Sequence, residues 1–391
     1  MVLNLTDALA KPYTQADAGG HYSEKFGSEY GFGFFYPPGA KLTDGIPEDF
    51  RWIVSSHWDQ FAPVSPLYLY TMAFFWFFLW ILNFFGNGTV MYLFLKTRYL
   101  RTPSNMFIVN LAFVDFIMMS SQTPPFMHTV LGTGYWEMGA FGCEFIGMIA
   151  TLCGCIAIYT NVMIAYDRYN VIVKGFNGVK ITSSMVLVIL GVMWTWVLVW
   201  NILPLMRIWG SFMPEGLLAS CGMDYLARDL NNRSYCASLF LVAYILPMIA
   251  LIFFYSQIVK AVWDHEDAMR EQAKKMNVES LRSEDNKKMS AECRIAKVAM
   301  TNVFLWICIW APYSVVTMIG VFGNQATITP LVSQIPSLVA KTASCFNPLV
   351  YAISHPKYRQ ALQESMPWLC IHEPVDDTKS VASAETCAEK Q

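Results

Sequence analysis

Lys341 stands in Val339-Ala340-Lys341-Thr342-Ala343, and no Asp, Glu, Lys or Arg precedes it back to Lys297. Apolar surroundings penalise an ammonium more than a neutral amine, so a lysine here presents a nucleophilic nitrogen. The chemistry this suits is Schiff-base formation with an aldehyde; the plainer alternative is a structural ion pair. Asp115 is the second ionisable group in an apolar run, Leu111-Ala112-Phe113-Val114-Asp115. Ionisable groups in hydrocarbon are costly and mark functional positions, which suits Asp115 to cation binding or proton relay. Its plainer alternative is a satisfied polar group bonded to Asn87 and to neighbouring helices.

The segments that position these two residues are long and apolar. No charged residue lies between Asp59 and Lys96, Glu144 and Asp167, Lys180 and Arg207, or Arg233 and Lys260. Each window holds at least the ~20 residues a bilayer core requires. A further run from about Pro103 to Val130 carries Asp115 alone, and Gly323-Asn324-Gln325 divides the stretch from Lys297 to Ser354 into two helices. The chain is therefore expected to be an all-α membrane protein, a bundle of seven transmembrane helices.

Composition agrees. Only 14% of the 391 residues are charged, against about 25% in an ordinary globular protein, and 55% are hydrophobic. That balance excludes a free cytosolic enzyme. The net charge of −2 offers no basic excess for a phosphate backbone, which excludes a nucleic-acid partner. Ten cysteines are too sparse for a disulfide scaffold, and core packing accounts for Cys153, Cys155, Cys236, Cys308 and Cys345.

Lys96, Arg98 and Arg101 fill the first connection, Lys174 and Lys180 the third, and a basic run from Lys260 to Lys297 the fifth. Cationic loops stay inside, so the N-terminus is expected outside the cell and the C-terminus in the cytoplasm. No charged n-region followed by an apolar h-region marks a signal peptide, and the first span is expected to direct insertion. The expected organisation is an extracellular arm over 1–65, the bundle over 66–354, an amphipathic eighth helix over 355–369 and a disordered cytoplasmic tail over 370–391. Both ends read as mobile. Asn4-Leu5-Thr6 is a glycosylation sequon on the outer side, and Asn232-Arg233-Ser234 abuts the fifth span.

Further motifs carry a resemblance. Gly86-Asn87, Leu111–Asp115, Asp167-Arg168-Tyr169, Trp310-Ala311-Pro312-Tyr313 and Asn347-Pro348-Leu349-Val350-Tyr351 together resemble the class A G-protein-coupled receptors over about 66–367. Lys341, six residues before Asn347, narrows this to the opsins, whose lysine at that place binds retinal. The insert from His265 to Ala296, with Arg270-Glu271-Gln272-Ala273-Lys274-Lys275-Met276-Asn277, is similar to that of the arthropod visual pigments, as is His355-Pro356-Lys357-Tyr358-Arg359.

The resemblance implies 11-cis-retinal, or a hydroxylated variant, bound covalently to Lys341 through a protonated Schiff base. It implies light-driven isomerisation, activation of a Gq-type heterotrimeric G protein, and arrestin and a receptor kinase at the cytoplasmic face and tail. It places the chain among the lipids of the photoreceptor plasma membrane as a bistable pigment without enzymatic turnover. Cys143 and Cys221 are expected to form a disulfide, and Cys370 offers either a palmitoylation site or a free thiol. Trp310 and Tyr313 are expected in the pocket, with Gly147 and Gly154 leaving room for the polyene. Asp167 is expected to restrain Arg168, which turns toward Tyr255 and Tyr351 on activation; Tyr169, Asn347 and Pro348 complete that machinery, and a G-protein helix would enter the opened groove.

The charge partner of the Schiff base is where the sequence departs from its relatives. Three residues past Cys143, vertebrate visual pigments carry a glutamate and many arthropod pigments a tyrosine; this chain has Ile146. The candidate is Glu215, six residues before Cys221, on a loop folded down as a lid and acting through Ser220 and water. Glu144 is the rival, expected to face outward. Ser120, Ser121 and Gln122 stand beside Pro124, where ultraviolet-sensitive insect pigments carry a lysine; this favours visible absorption. The alternatives are a non-visual retinal-binding receptor, a ligand-activated receptor of the same class, and a retinal isomerase or light-driven pump. A pump needs a chain of titratable groups, and none follows Asp115.

Overall fold

The structure, a computed structural model, describes residues 39–134, 136–276, 284–354 and 356–369. Asn4, Cys370, the tail and 277–283 of the long insert lie outside the described residues. Helix α1 spans Pro66–Lys96 and α2 spans Pro103–His128; each opens on a proline, whose fixed φ suits the first helical position and whose missing N–H is no loss there. Helix α2 runs on through a π-helical turn, Thr129–Thr133. Helix α3 (Gly139–Tyr169) crosses the middle of the molecule and packs on α2, on α4 (Ser183–Leu205) and on the strands that follow.

Strands β1 (Phe212–Glu215) and β2 (Ser220–Met223) form an antiparallel hairpin in which Pro214 faces Cys221 and Glu215 faces Ser220. Helix α5 is built of Leu230–Phe240, a π-helical turn Leu241–Ile245, and Leu246–Met276; the Asp229 carboxylate caps it by accepting from Asn232 N. Helix α6 spans Glu284–Phe322 with Pro312 inside it, and α7 spans Pro330–Ser354 with Pro336 and Pro348 inside. Helix α8 (Pro356–Ser365) and a 3-10 turn, Pro367–Leu369, complete the described chain.

Among the described residues six helices, α1 to α6, are long and apolar enough to cross a membrane. Helix α7 misses that measure for a physical reason. Its 25 residues extend about 37 Å, enough for a bilayer core, but Ser333, Gln334, Ser337, Lys341, Ser344 and Asn347 interrupt its apolar run. All six are buried, while Val332, Ile335 and Leu349 face outward, so the polar stripe points into the bundle and away from lipid. Helix α1 shows the same inversion: Phe74, Phe75, Phe77, Phe78 and Phe85 are exposed, and Asn83 and Asn87 are buried.

The arm expected to be mobile is folded over its last third. A helical turn at Glu48–Arg51 and a 3-10 turn at Ser56–Gln60 bury Phe50, Ile53, Val54 and Trp58 in one core with Trp136, Cys143, Leu226 and Ile328. Asp59 pairs with Arg51 and accepts from Thr43 Oγ1 at 2.6 Å. His57 Nε2 bonds the Ile328 carbonyl at 2.8 Å, in the connection between α6 and α7. The hairpin end of the bundle is further tied by Gln325 Nε2, which donates to Leu226 O at 2.8 Å, and by the Tyr225–Ser333 hydroxyl pair at 2.6 Å.

Candidate functional site

Four-residue spacing puts Ser333, Ser337 and Lys341 one above another on the inner face of α7. Lys341 is 6% exposed, and its Nζ donates to Ser337 Oγ at 2.8 Å. Ser337 Oγ in turn donates to Glu215 Oε2 at 3.4 Å, and Tyr313 OH donates to Glu215 Oε1 at 2.6 Å. Glu215 is 1% exposed. Burial pushes its carboxyl above the usual carboxylate range, opposed by the Lys341 charge and by the bonds from Tyr313 and Ser337. An amine, a hydroxyl and a carboxylate are thus joined in one buried chain.

The bridging hydroxyl is not the expected one. Ser220 Oγ donates to Gln334 Oε1 at 3.2 Å, because Ser220 lies on the opposite strand of the hairpin from Glu215 and meets a different turn of α7. Ser337 was legible in principle, since it precedes Lys341 by one helical turn. Gly222 is a second residue that sequence reasoning missed. A Cβ built there would overlap the Glu215 carboxylate, so the carboxylate rests directly on the glycine.

A cavity runs from Lys341 and Ser337 between α3, α5 and α6, walled by Met118, Gly154, Phe240, Tyr244, Trp306 and Trp310 among others. Trp306 stacks on Trp310 with centroids 5.4 Å apart, and Tyr313 stands edge-on to Trp310 at 6.2 Å. Gly154 makes room for Trp310, whose Cη2 would lie 3.1 Å from an added Cβ. Gly147 has another neighbour: it leaves room for Phe212 of β1 and so seats the hairpin. An aromatic-lined cavity with an amine in its wall fits a long apolar aldehyde, with Lys341 as the group that would hold it.

A disulfide joins Cys143 of α3 to Cys221 of β2, with their Cα atoms 5.4 Å apart. It ties to α3 the hairpin whose Glu215, Cys221, Gly222 and Met223 line the cavity. Ile146 presents an apolar side chain, while its carbonyl accepts from Gln122 Nε2 at 2.8 Å. Glu144 does not face outward as expected. It is buried, and Arg207 Nε and Nη2 donate to its Oε1 at 2.9 and 2.6 Å. The Arg207 guanidinium also lies over the Trp52 ring, 3.9 Å from its centroid, so the Glu144 charge is already balanced.

Asp115 Oδ2 accepts from Asn347 Nδ2 at 2.7 Å, whereas Asn87 Nδ2 donates to the Ser344 carbonyl at 2.9 Å and not to Asp115. Pro348 packs against Gly86. Toward the other end of the bundle, Asp167 and Arg168 form a buried ion pair, with Arg168 Nε 3.1 Å from Asp167 Oδ2. Tyr255 is buried there too, Tyr169 packs its ring on Phe254 at 5.5 Å, and Tyr351 lies on the last turn of α7. Phe176, beyond α3, is fully exposed. Cys153, Cys155, Cys236 and Cys345 are buried as core residues, but Cys308 is exposed on α6 and core packing does not explain it.

The 7 transmembrane receptor (rhodopsin family) model matches residues 86–351. Compound eye opsin BCRH1 of Hemigrapsus sanguineus is 42% identical over 366 residues, which is 92% of this chain and 97% of that protein. The ultraviolet-sensitive opsin of Apis mellifera is 45% identical over 348 residues, 88% of this chain and 93% of that one. The lateral eye opsin of Limulus polyphemus is 43% identical over 362 residues, 92% and 96% of the two chains. The crystal structure of squid rhodopsin matches with a TM-score of 0.76 and 32% identity, covering 90% of this chain and 98% of that one. The chain belongs to the rhodopsin family of seven-transmembrane receptors, as a visual opsin of the arthropod type, a membrane photoreceptor protein and not an enzyme.

Proposed function

We propose that Lys341 carries 11-cis-retinal, or a hydroxylated variant, through a protonated Schiff base, and that light absorbed there switches a Gq-type G protein. Membership of the opsins implies a retinal chromophore and a G-protein partner. The observation that carries the finer reading is the buried chain from Lys341 through Ser337 to Glu215, in the wall of an aromatic-lined cavity.

When bound, retinal supplies the light absorption and the cis-to-trans isomerisation. The residues of the chain do the rest. Lys341 offers the amine to which retinal would be attached, and Glu215 would balance the resulting positive charge through Ser337. Trp306, Trp310, Tyr313 and Tyr244 would confine the polyene, and the hairpin would keep water from it. A change of shape at Trp310 is passed to α6, which carries Pro312 two residues on. Opening at the far end frees Arg168 from Asp167 toward Tyr255 and Tyr351, and a G-protein helix enters the groove. Exposed Phe176 adds an apolar contact beside that groove. Arrestin and a receptor kinase act on the same face and on the tail.

The distribution of Lys and Arg supports an extracellular N-terminus and a cytoplasmic C-terminus, in the plasma membrane of photoreceptor cells. Bistability, in which the photoproduct keeps its chromophore, rests on the resemblance to arthropod pigments. The test is a pair of spectra, dark and illuminated, of purified protein given 11-cis-retinal, followed by borohydride reduction and peptide mapping. A visible band that shifts in light, with the reduced adduct on Lys341, is expected. A free-retinal spectrum with Lys341 unmodified would sink the reading.

A further inference from the structure

Resting on the reading above, we propose that Trp76 of α1 is a second stabiliser of the positive charge at Lys341, acting through the face of its indole ring. Lys341 Nζ lies 5.3 Å from the Trp76 ring centroid, within the ~6 Å over which a cation is attracted to an aromatic face. Trp76 is 0% exposed, so neither water nor salt screens the pair. Phe126 of α2 stacks on the ring, with centroids 4.4 Å apart and planes 13° apart, and fixes its orientation. The side chain also fills a core with Met72, Val130, Leu217 and Leu338, which any large apolar residue would serve. Trp76 Nε1 meets no protein acceptor among the described residues, so hydrogen bonding does not account for an indole at this position.

The other groups around Lys341 leave this role open. Glu215 of β1 is the carboxylate of the chain through Ser337, and Tyr313 of α6 stands behind it. Tyr225 OH is bonded to Ser333, Asp115 of α2 is held by Asn347, and the Cys155 thiol of α3 shares the cavity wall. Glu144 is paired with Arg207. With Ile146 apolar and Glu215 one hydroxyl away, no anion touches Lys341 Nζ among these contacts, and the indole face lies on it directly.

The experiment uses the full chain reconstituted with 11-cis-retinal. Fluorinated tryptophans are placed at position 76 alone by nonsense suppression, because fluorine weakens the ring quadrupole with almost no change of shape. The readout is the dark titration midpoint of the visible band, together with its maximum. The midpoint is expected to fall stepwise with each fluorine and to drop by about one unit in Trp76→Leu, a tenfold loss of proton affinity. Trp76→Phe should lie between Leu and the wild type. A midpoint that stays flat along the fluorinated series overturns the proposal, as does a folded Trp76→Leu pigment with the wild-type midpoint. Failure of the wild type itself to form a pigment overturns the attachment at Lys341 instead, which separates the two claims.

Discussion

Replacing Glu215 by glutamine keeps the shape of the side chain and removes its charge. The charge at Lys341 Nζ and the Glu215 carboxylate are bridged by Ser337 through contacts of 2.8 and 3.4 Å, so they stand no more than about 6 Å apart. At an effective dielectric constant of about 20, unit charges at that distance attract by roughly 2–3 kcal/mol. At about 1.4 kcal/mol per unit, this equals about two units of titration. The attraction favours the protonated linkage, so its loss moves deprotonation to lower pH. In Glu215→Gln the visible band should therefore give way to ultraviolet absorption at a pH about two units below the wild-type midpoint. Parallel spectrophotometric titrations of both proteins, dark and illuminated, measure this. Equal midpoints in both states would refute the reasoning and move attention to Asp115.

Three further outcomes follow from the same geometry. Lys341→Ala should form no visible pigment and no borohydride-stable adduct, while remaining able to reach the cell surface; a trapped adduct elsewhere would reassign the attachment site. Gly222→Ala places a Cβ where the Glu215 carboxylate lies, so it should shift the titration midpoint in the same direction as Glu215→Gln while leaving the total charge unchanged. Burial alone would raise the Asp59 carboxyl, but the bonds from Thr43 and Arg51 and the Arg51 charge outweigh it and hold the group below its ordinary value. A depressed carboxylate contributes stability above its unfolded pKa and loses it as the pH falls through the folded value. The folded arm should therefore loosen selectively in acid below about pH 4, read as faster hydrogen exchange over 42–61 than in the helices.

The helices were largely legible because hydrocarbon excludes charge over long windows, and Cys143 and Cys221 stood out against the family pattern. Helix α7 was legible as the charge-poor stretch after Gly323-Asn324-Gln325 and again from its motifs, although six buried polar residues break its apolar run. What escaped notice depends on contacts between distant segments. Ser337 is an ordinary helical serine until Glu215 comes down on it from β1. Gly222 is one glycine among 23 until a carboxylate rests on its Cα. The folded part of the arm was hidden because Trp58 and Phe50 form no periodic pattern in so short a segment; they are buried by a core made mostly by other parts of the chain.

The ties at the hairpin end make α6 a lever with one clamped end. His57 on Ile328, Gln325 on Leu226 and the connection into α7 restrain the chain just beyond Phe322. The 39 residues of α6 reach about 58 Å, and Trp310 sits about 18 Å from the clamped end. Rotation about that end multiplies any sideways step at Trp310 roughly threefold by Glu284. A sub-ångström push against one indole therefore arrives at the far end as a displacement of an ångström or more, and a bend at Pro312 adds to the gain.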